Sequence, residues 1–366
     1  LDLSRELDAY GAHYNAFTSQ EYTAYYIKID AKKISLALDL ISDMVFNSKL
    51  EPQEVEKEKG VIVEELRMYE DNPTMDIDNL FMKAVFGDTP LGRDVGGTKN
   101  TVKNVTREQL WNYYKGSYLP QNAVLSVAGK FDKKIDFLIA KYFGNLETGY
   151  SQKWFRTQGY HKATWPKKNI SLEKRVLVKQ KNIDQAHVIL GFPGLNQKDP
   201  RRYAAAVLLN ILGGSMSSRL FSEVREKRGL AYMVRAGGDF FRDTGTVQIQ
   251  SGLDPARLKE AFEVIKKELR KIKKEEVSEK ELNDAKNNLI GHLTLVLEDS
   301  AAQAQTTVKD LVFLGKIESY QETCRKIKAV NRKQVLILAQ KLFDEKKLFA
   351  AVIGPFTQKA ILKILK

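Results

Sequence analysis

The sequence has 366 residues, with 59 Lys and Arg against 46 Asp and Glu, a net charge of +13, and 43% hydrophobic residues. At roughly 150 residues per domain this is chain for two or three domains with sizeable cores, and 23 Gly with 9 Pro exclude a fibrous or disordered composition. The single cysteine, Cys324, excludes an intramolecular disulfide and a cysteine-based zinc cluster.

The basic excess would favour acidic partners, but it is dispersed. Its densest stretch, residues 266–286 (KKELRKIKKEEVSEKELNDAK), alternates in sign and reads as a solvated helix face, so nucleic acid is not an expected partner. The longest apolar run, residues 204–212, is broken by Asn210 and is too short to span a bilayer, so no membrane span is expected. The chain starts at Leu1 and opens directly into a helical pattern.

In chain order the patterns predict a strand over 23–29, a helix over 54–70, a helix and then a buried strand over 105–128, strands over 175–179 and 186–192, and a helix over 201–212. A further helix carries Arg225, and strands follow over 246–252 and 349–353. Helices and strands come in blocks rather than strict alternation, an α+β pattern.

A repeat organises these elements. Residues 105–134 (VTREQLWNYYKGSYLPQNAVLSVAGKFDKK) align without gaps at an offset of 225 with residues 330–359 (VNRKQVLILAQKLFDEKKLFAAVIGPFTQK). Residues 50–70 match 277–297 at an offset of 227, and Leu7, Gly11 and Tyr14 fall over Arg225, Gly229 and Tyr232 at 218. Two copies of one domain, 1–150 and 172–366, are therefore expected around a linker at 151–171, where the stretch 150–169 is rich in Lys, Gln and aromatics and broken by Pro166. Copy two has two strands and a helix before its Arg225 helix that copy one lacks, so about 45 residues are expected upstream of Leu1.

His13, His161, His187 and His292 show no i, i+3 or i, i+4 spacing, no phosphate-cradling loop is present, and no G-x-S-x-G elbow occurs. Glu54, Glu58 and Glu65 fall near one face of their helix, suited either to bind a metal or orient a ligand, or to form a solvated acidic surface paired with Lys57 and Lys59. Copy two has Ala285 opposite Glu58 and His292 opposite Glu65, which confines the two carboxylates to copy one.

The segment 213–232 carries S-R-L-F (218–221) into V-R-E-x-x-G-L-A-Y (224–232), and copy one has G-x-x-x-N-A-x-T-S (11–19) and E-x6-E (Glu58 to Glu65). Together with Leu91-Gly92-Arg93 to Gly97 and Tyr118-Leu119-Pro120 to Gly129, these resemble the insulinase, pitrilysin and mitochondrial processing peptidase family over nearly the whole chain. The resemblance implies a zinc metallopeptidase of the inverzincin type, built of two similar α+β domains, each a mostly antiparallel sheet packed with helices, facing each other as a clamshell. It makes Glu65 a ligand of one Zn²⁺, Glu58 a supporting residue, and Arg225 and Tyr232 the pair that reaches the substrate carbonyl. Asn15, Ala16 and Phe17 match the edge strand that an extended peptide joins.

One departure is clear: no H-x-x-E-H occurs in these residues. The resemblance then implies that both zinc-binding histidines lie in the segment upstream of Leu1, and that this chain alone is inactive. The implied partners are a peptide or unfolded protein substrate and a homodimer or heterodimer with a related subunit, in the cytoplasm unless an upstream leader directs the chain elsewhere. The alternative is a non-catalytic family member serving as a structural or peptide-binding subunit of a heteromeric peptidase.

Overall fold

The computed structural model describes residues 2–144 and 170–366. The expected linker at 151–171 and His161 therefore fall outside the described residues, apart from the last two linker positions. The chain divides into two compact units, neither continuous in sequence: the first gathers Leu1–Leu66, Val95–His161 and Leu295–Ile317, the second Arg67–Asp94, Lys162–Thr294 and Glu318–Lys366.

In the first unit, helix α1 (Asp2–Asp8) is pinned by fully buried Leu7, and Gly11 beyond its end, at φ 61°, turns the chain into strand β1 (His13–Thr18). β1 pairs with β2 (Thr23–Lys28) as an antiparallel hairpin. Its loop is closed by two bonds from Ser19, backbone N–H and hydroxyl, to the Tyr22 carbonyl. The Tyr22 ring lies edge-on to Phe17 and to Phe313 of the Ser300–Leu314 helix. Helix α2 (Ile34–Phe46) follows, and then α3 (Pro52–Asp71), whose buried stripe is Val55, Val63 and Leu66.

The second unit is built on a five-stranded sheet of order β3-β7-β4-β6-β5, from β3 (Val176–Gln180), β4 (Ala186–Pro193), β5 (Ala231–Gly237), β6 (Thr246–Leu253) and β7 (Phe349–Gly354). Only the β3–β7 pairing is parallel; the other three are antiparallel. Side chains alternate between two cores. Val188, Leu190, Ala350 and Val352 point into the larger one with the helices Arg202–Gly213, Leu258–Lys274 and Arg332–Leu342. Ile189, Phe349, Ala351 and Ile353 point the other way, onto Ile77, Phe81, Val85 and Phe86 of helix α4 (Pro73–Phe86). A sheet covered on both faces explains why β7 is buried at every position and reads as an unbroken apolar run.

Helix α4 belongs to copy one in sequence and to the second unit in space. The offset of 227 carries its first residue, Pro73, onto Ser300, and the Ser300–Leu314 helix of copy two lies in the first unit. The repeats thus exchange one equivalent helix, and both helices start with side-chain caps at matched positions. Asn72 accepts from Thr74 N–H, and Asp299 accepts from Ala301 and Ala302 N–H.

The expected strand over 123–128 is a correction. Its counterpart β7 is sandwiched between β3 and β4, whereas residues 123–128 have no ladder partner among the described residues, and half of them are exposed. Among the described residues no strand lies beside this segment, and an apolar run without a neighbour to pair with does not form a strand.

Gly191 of β4 sits under α4, where an added Cβ would lie 2.2 Å from Cζ of Phe81. Gly191→Ala is expected to cost about 1–3 kcal/mol by overpacking, read as a lower thermal midpoint, and Phe81→Leu in the same chain should recover part of it. An unchanged midpoint for Gly191→Ala would contradict the packing of Phe81 against this strand.

Candidate functional site

Arg225 and Tyr232 come together in the second unit. Arg225 lies in a π-helical turn, Phe221–Glu226, marked by the wide bond from Lys227 N–H to the Ser222 carbonyl. The turn is left through Gly229, at φ 59°, with bonds from Gly229 N–H to Arg225 and from Leu230 N–H to Val224 carbonyls. The chain then enters β5 at the sheet edge, where the register with β6 slips between Ala231 and Met233. Tyr232 is the extra residue of this bulge, and the slip turns its side chain outward, 75% exposed. The Arg225 guanidinium lies 5.5 Å from the Tyr232 ring centroid and 4.7 Å from that of Phe221.

The turn is braced by Glu223, whose carboxylate meets Lys227 Nζ at 2.6 Å and Arg228 Nη1 at 2.7 Å. Arg228 also donates to the Glu223 carbonyl, and Arg257 to the Arg228 carbonyl. The two cations hold the Glu223 carboxyl down at about 2. A folded-state value below the ordinary 4.5 means that the stabilisation is complete above pH 4.5 and is lost as pH falls towards 2. The thermal midpoint is expected to fall across that window, with a shallower slope in Glu223→Gln; equal slopes would contradict the bracing role.

The expected carboxylates share α3. Glu54, Glu58 and Glu65 form one exposed strip on the flank of its buried stripe. Lys57 pairs with Glu54 and Lys59 with Glu56, while Glu58 and Glu65 have no ion-pair partner among the described residues. His13 and His292 are exposed, and His187 is half-buried on β4, where burial lowers its pKa. Among the described residues no group of three His, Cys, Asp or Glu could hold a metal ion, so they do not by themselves fit a zinc centre.

Asn15, Ala16 and Phe17 lie together on β1, opposite Tyr26, Tyr25 and Ala24 of β2. Counting the ladder from the Ser19–Tyr22 bond leaves the backbone of Ala16 facing away from β2. That outward N–H is taken by Asn15 Oδ1 at 2.8 Å. The edge therefore caps one of its own outward N–H groups with a neighbouring side chain.

Sequence reasoning named Phe221 within a motif but gave it no role. Its i, i+4 spacing to Arg225 was the available signal.

Comparison with known proteins places the chain in a family. Residues 1–99 match the family described as Insulinase (Peptidase family M16), and residues 104–289 match the Peptidase M16 inactive domain. The chain is 35% identical over 94% of its length, and 81% of the relative's, to the uncharacterized zinc protease YmxG of Bacillus subtilis. Among solved structures it is similar in fold to a protease from Helicobacter pylori, with a TM-score of 0.84 at 21% identity, covering 96% of this chain and 84% of that one. A chain of complex III2 from Candida albicans gives 0.81 at 18% identity, covering 97% and 86%. This chain belongs to peptidase family M16. It is zinc-protease-like in sequence and shares the fold of M16-like peptidases. Among the described residues no helix is long and apolar enough to cross a membrane.

Proposed function

We propose that the protein containing this chain is a zinc-dependent endopeptidase that takes extended peptide as an added β-strand, and that this chain supplies the peptide-binding part of its machinery. The observation that carries the reading is the pairing of Arg225 with an exposed Tyr232 on a bulged edge strand. A guanidinium and a phenol side by side present N–H and O–H donors to one region, the requirement for holding a peptide carbonyl whose oxygen gains negative charge.

On β1 the peptide backbone replaces the Asn15 carboxamide. Ala16 N–H donates to a substrate carbonyl and the Ala16 carbonyl accepts from a substrate N–H, while Phe17 alternates to the other strand face. Such bonds demand extended conformation rather than sequence, consistent with broad peptide substrates. Glu65 is assigned as a metal ligand and Glu58 as its support, with the remaining ligands coming from histidines upstream of this sequence. The described residues do not by themselves complete the metal site.

The match of residues 104–289 to the M16 inactive domain favours a second reading, a family member that binds peptide without cutting it, beside a related catalytic subunit. Similarity in fold to a chain of a multi-subunit complex is in keeping with it.

Kinetics of the full-length polypeptide test the assigned roles. Arg225→Ala and Tyr232→Phe are each expected to lower kcat/KM on an extended peptide by about 10²-fold, the scale of removing one donor to a developing oxyanion, with zinc content unchanged. Loss of metal, or wild-type turnover, in either variant would contradict the pairing's role.

A further inference from the structure

Arg225 has no carboxylate partner among the described residues, although glutamates stand at 223 and 226 in its own turn. Glu223 is committed to Lys227 and Arg228. What the guanidinium has instead is two aromatic rings, and the two differ in how they are held. Tyr232 is mostly exposed. Phe221 is only 8% exposed and packs in the main core with Leu220, Val224 and Leu230, so its ring is fixed before any ligand arrives.

A ring face attracts a cation without using its N–H groups, whereas a carboxylate would hold the same cation by occupying them. A guanidinium steadied by a ring keeps its in-plane donors available for a ligand oxygen, and it loses less side-chain freedom on binding.

We infer that Phe221 is the positioning residue for Arg225: its core-anchored ring holds the guanidinium beside Tyr232 with the donors free for a peptide oxygen. The inference rests on the peptide-binding reading for its consequence, though not for the placement itself. It also accounts for the π-helical turn, since the wider turn sets Phe221 and Arg225 side by side while Val224 still reaches the core.

The test compares Phe221→Leu, which keeps apolar bulk and removes the ring, with Phe221→Tyr, which keeps the ring. Both are made in the full-length polypeptide and studied below their measured unfolding temperatures. The first readout is the Arg225 Nε–Hε resonance in protein labelled at arginine, assigned by its loss in Arg225→Ala. It is expected upfield in the wild type and in Phe221→Tyr, and shifted towards exposed arginines in Phe221→Leu. The second is kcat/KM on an extended peptide, expected to fall about three- to tenfold in Phe221→Leu and to be retained within about twofold in Phe221→Tyr.

An Arg225 resonance that does not move in Phe221→Leu overturns the inference, and so do equal kinetic losses in the two variants. If the wild type neither binds nor cleaves peptide while the resonance moves as stated, the peptide-binding reading fails and the placement of Arg225 by Phe221 stands.

Discussion

The five-stranded sheet of the second unit has apolar side chains on both faces, and that constraint governs the rest of the structure. One face is met by helices of its own repeat, the other by Ile77, Phe81, Val85 and Phe86 of α4 from the other repeat. Burying each such side chain is worth roughly 1.5–3 kcal/mol, so leaving that face wet would cost a large part of a domain's net stability. The equivalent helix of copy two, Ser300–Leu314, serves the first unit, where Phe313 meets Tyr22 and Asp299 pairs with Lys28 at 2.6 Å. Each unit therefore draws on both repeats, and the sequence repeat and the packing unit are different objects in this protein.

The candidate site follows from the edges of these sheets rather than from their centres. β5 ends its sheet, and the bulge at Tyr232 interrupts its pairing with β6. A bulge on an edge strand re-aims a side chain at little expense to the ladder. Close backbone approach supports the same region: an added Cβ at Gly213 would lie 2.4 Å from Ala236 N, so the helix ending there packs directly on β5. In the first unit, taken by itself, β1 has an outward backbone N–H at Ala16 that the Asn15 carboxamide occupies.

Much of this was legible in the sequence because the repeat is written in capping chemistry as well as in hydrophobic pattern. Thr106 with Gln109 and Asn331 with Gln334, each pair at the offset of 225, form the same capping box at the start of matched helices. The strands over 175–179, 186–192, 246–252 and 349–353 are present within a residue or two at their ends. The exchange of α4 was not legible, since an amphipathic helix declares that it needs an apolar partner without saying which sheet supplies it. The segment 123–128 has the composition of a buried strand, yet strand formation is decided by neighbours that lie outside its own sequence. Of the candidate residues, the motif brought Arg225 and Tyr232 into view, and the contact with Phe221 needed coordinates. Glu58 and Glu65 were readable as one helix flank, but composition could not separate a ligand from a solvated face.

Zinc stoichiometry tests the central claim most directly: that this chain carries one carboxylate ligand and the peptide-binding pair, and depends on upstream histidines for its metal. Metal content is measured by mass spectrometry for the 366-residue chain and for the same chain extended upstream by its native ~50 residues, a fraction of a typical domain. The expected result is no stoichiometric zinc in the first and one zinc per chain in the second, lost on Glu65→Gln. An extended chain that binds no zinc, or that keeps it in Glu65→Gln, would contradict the claim.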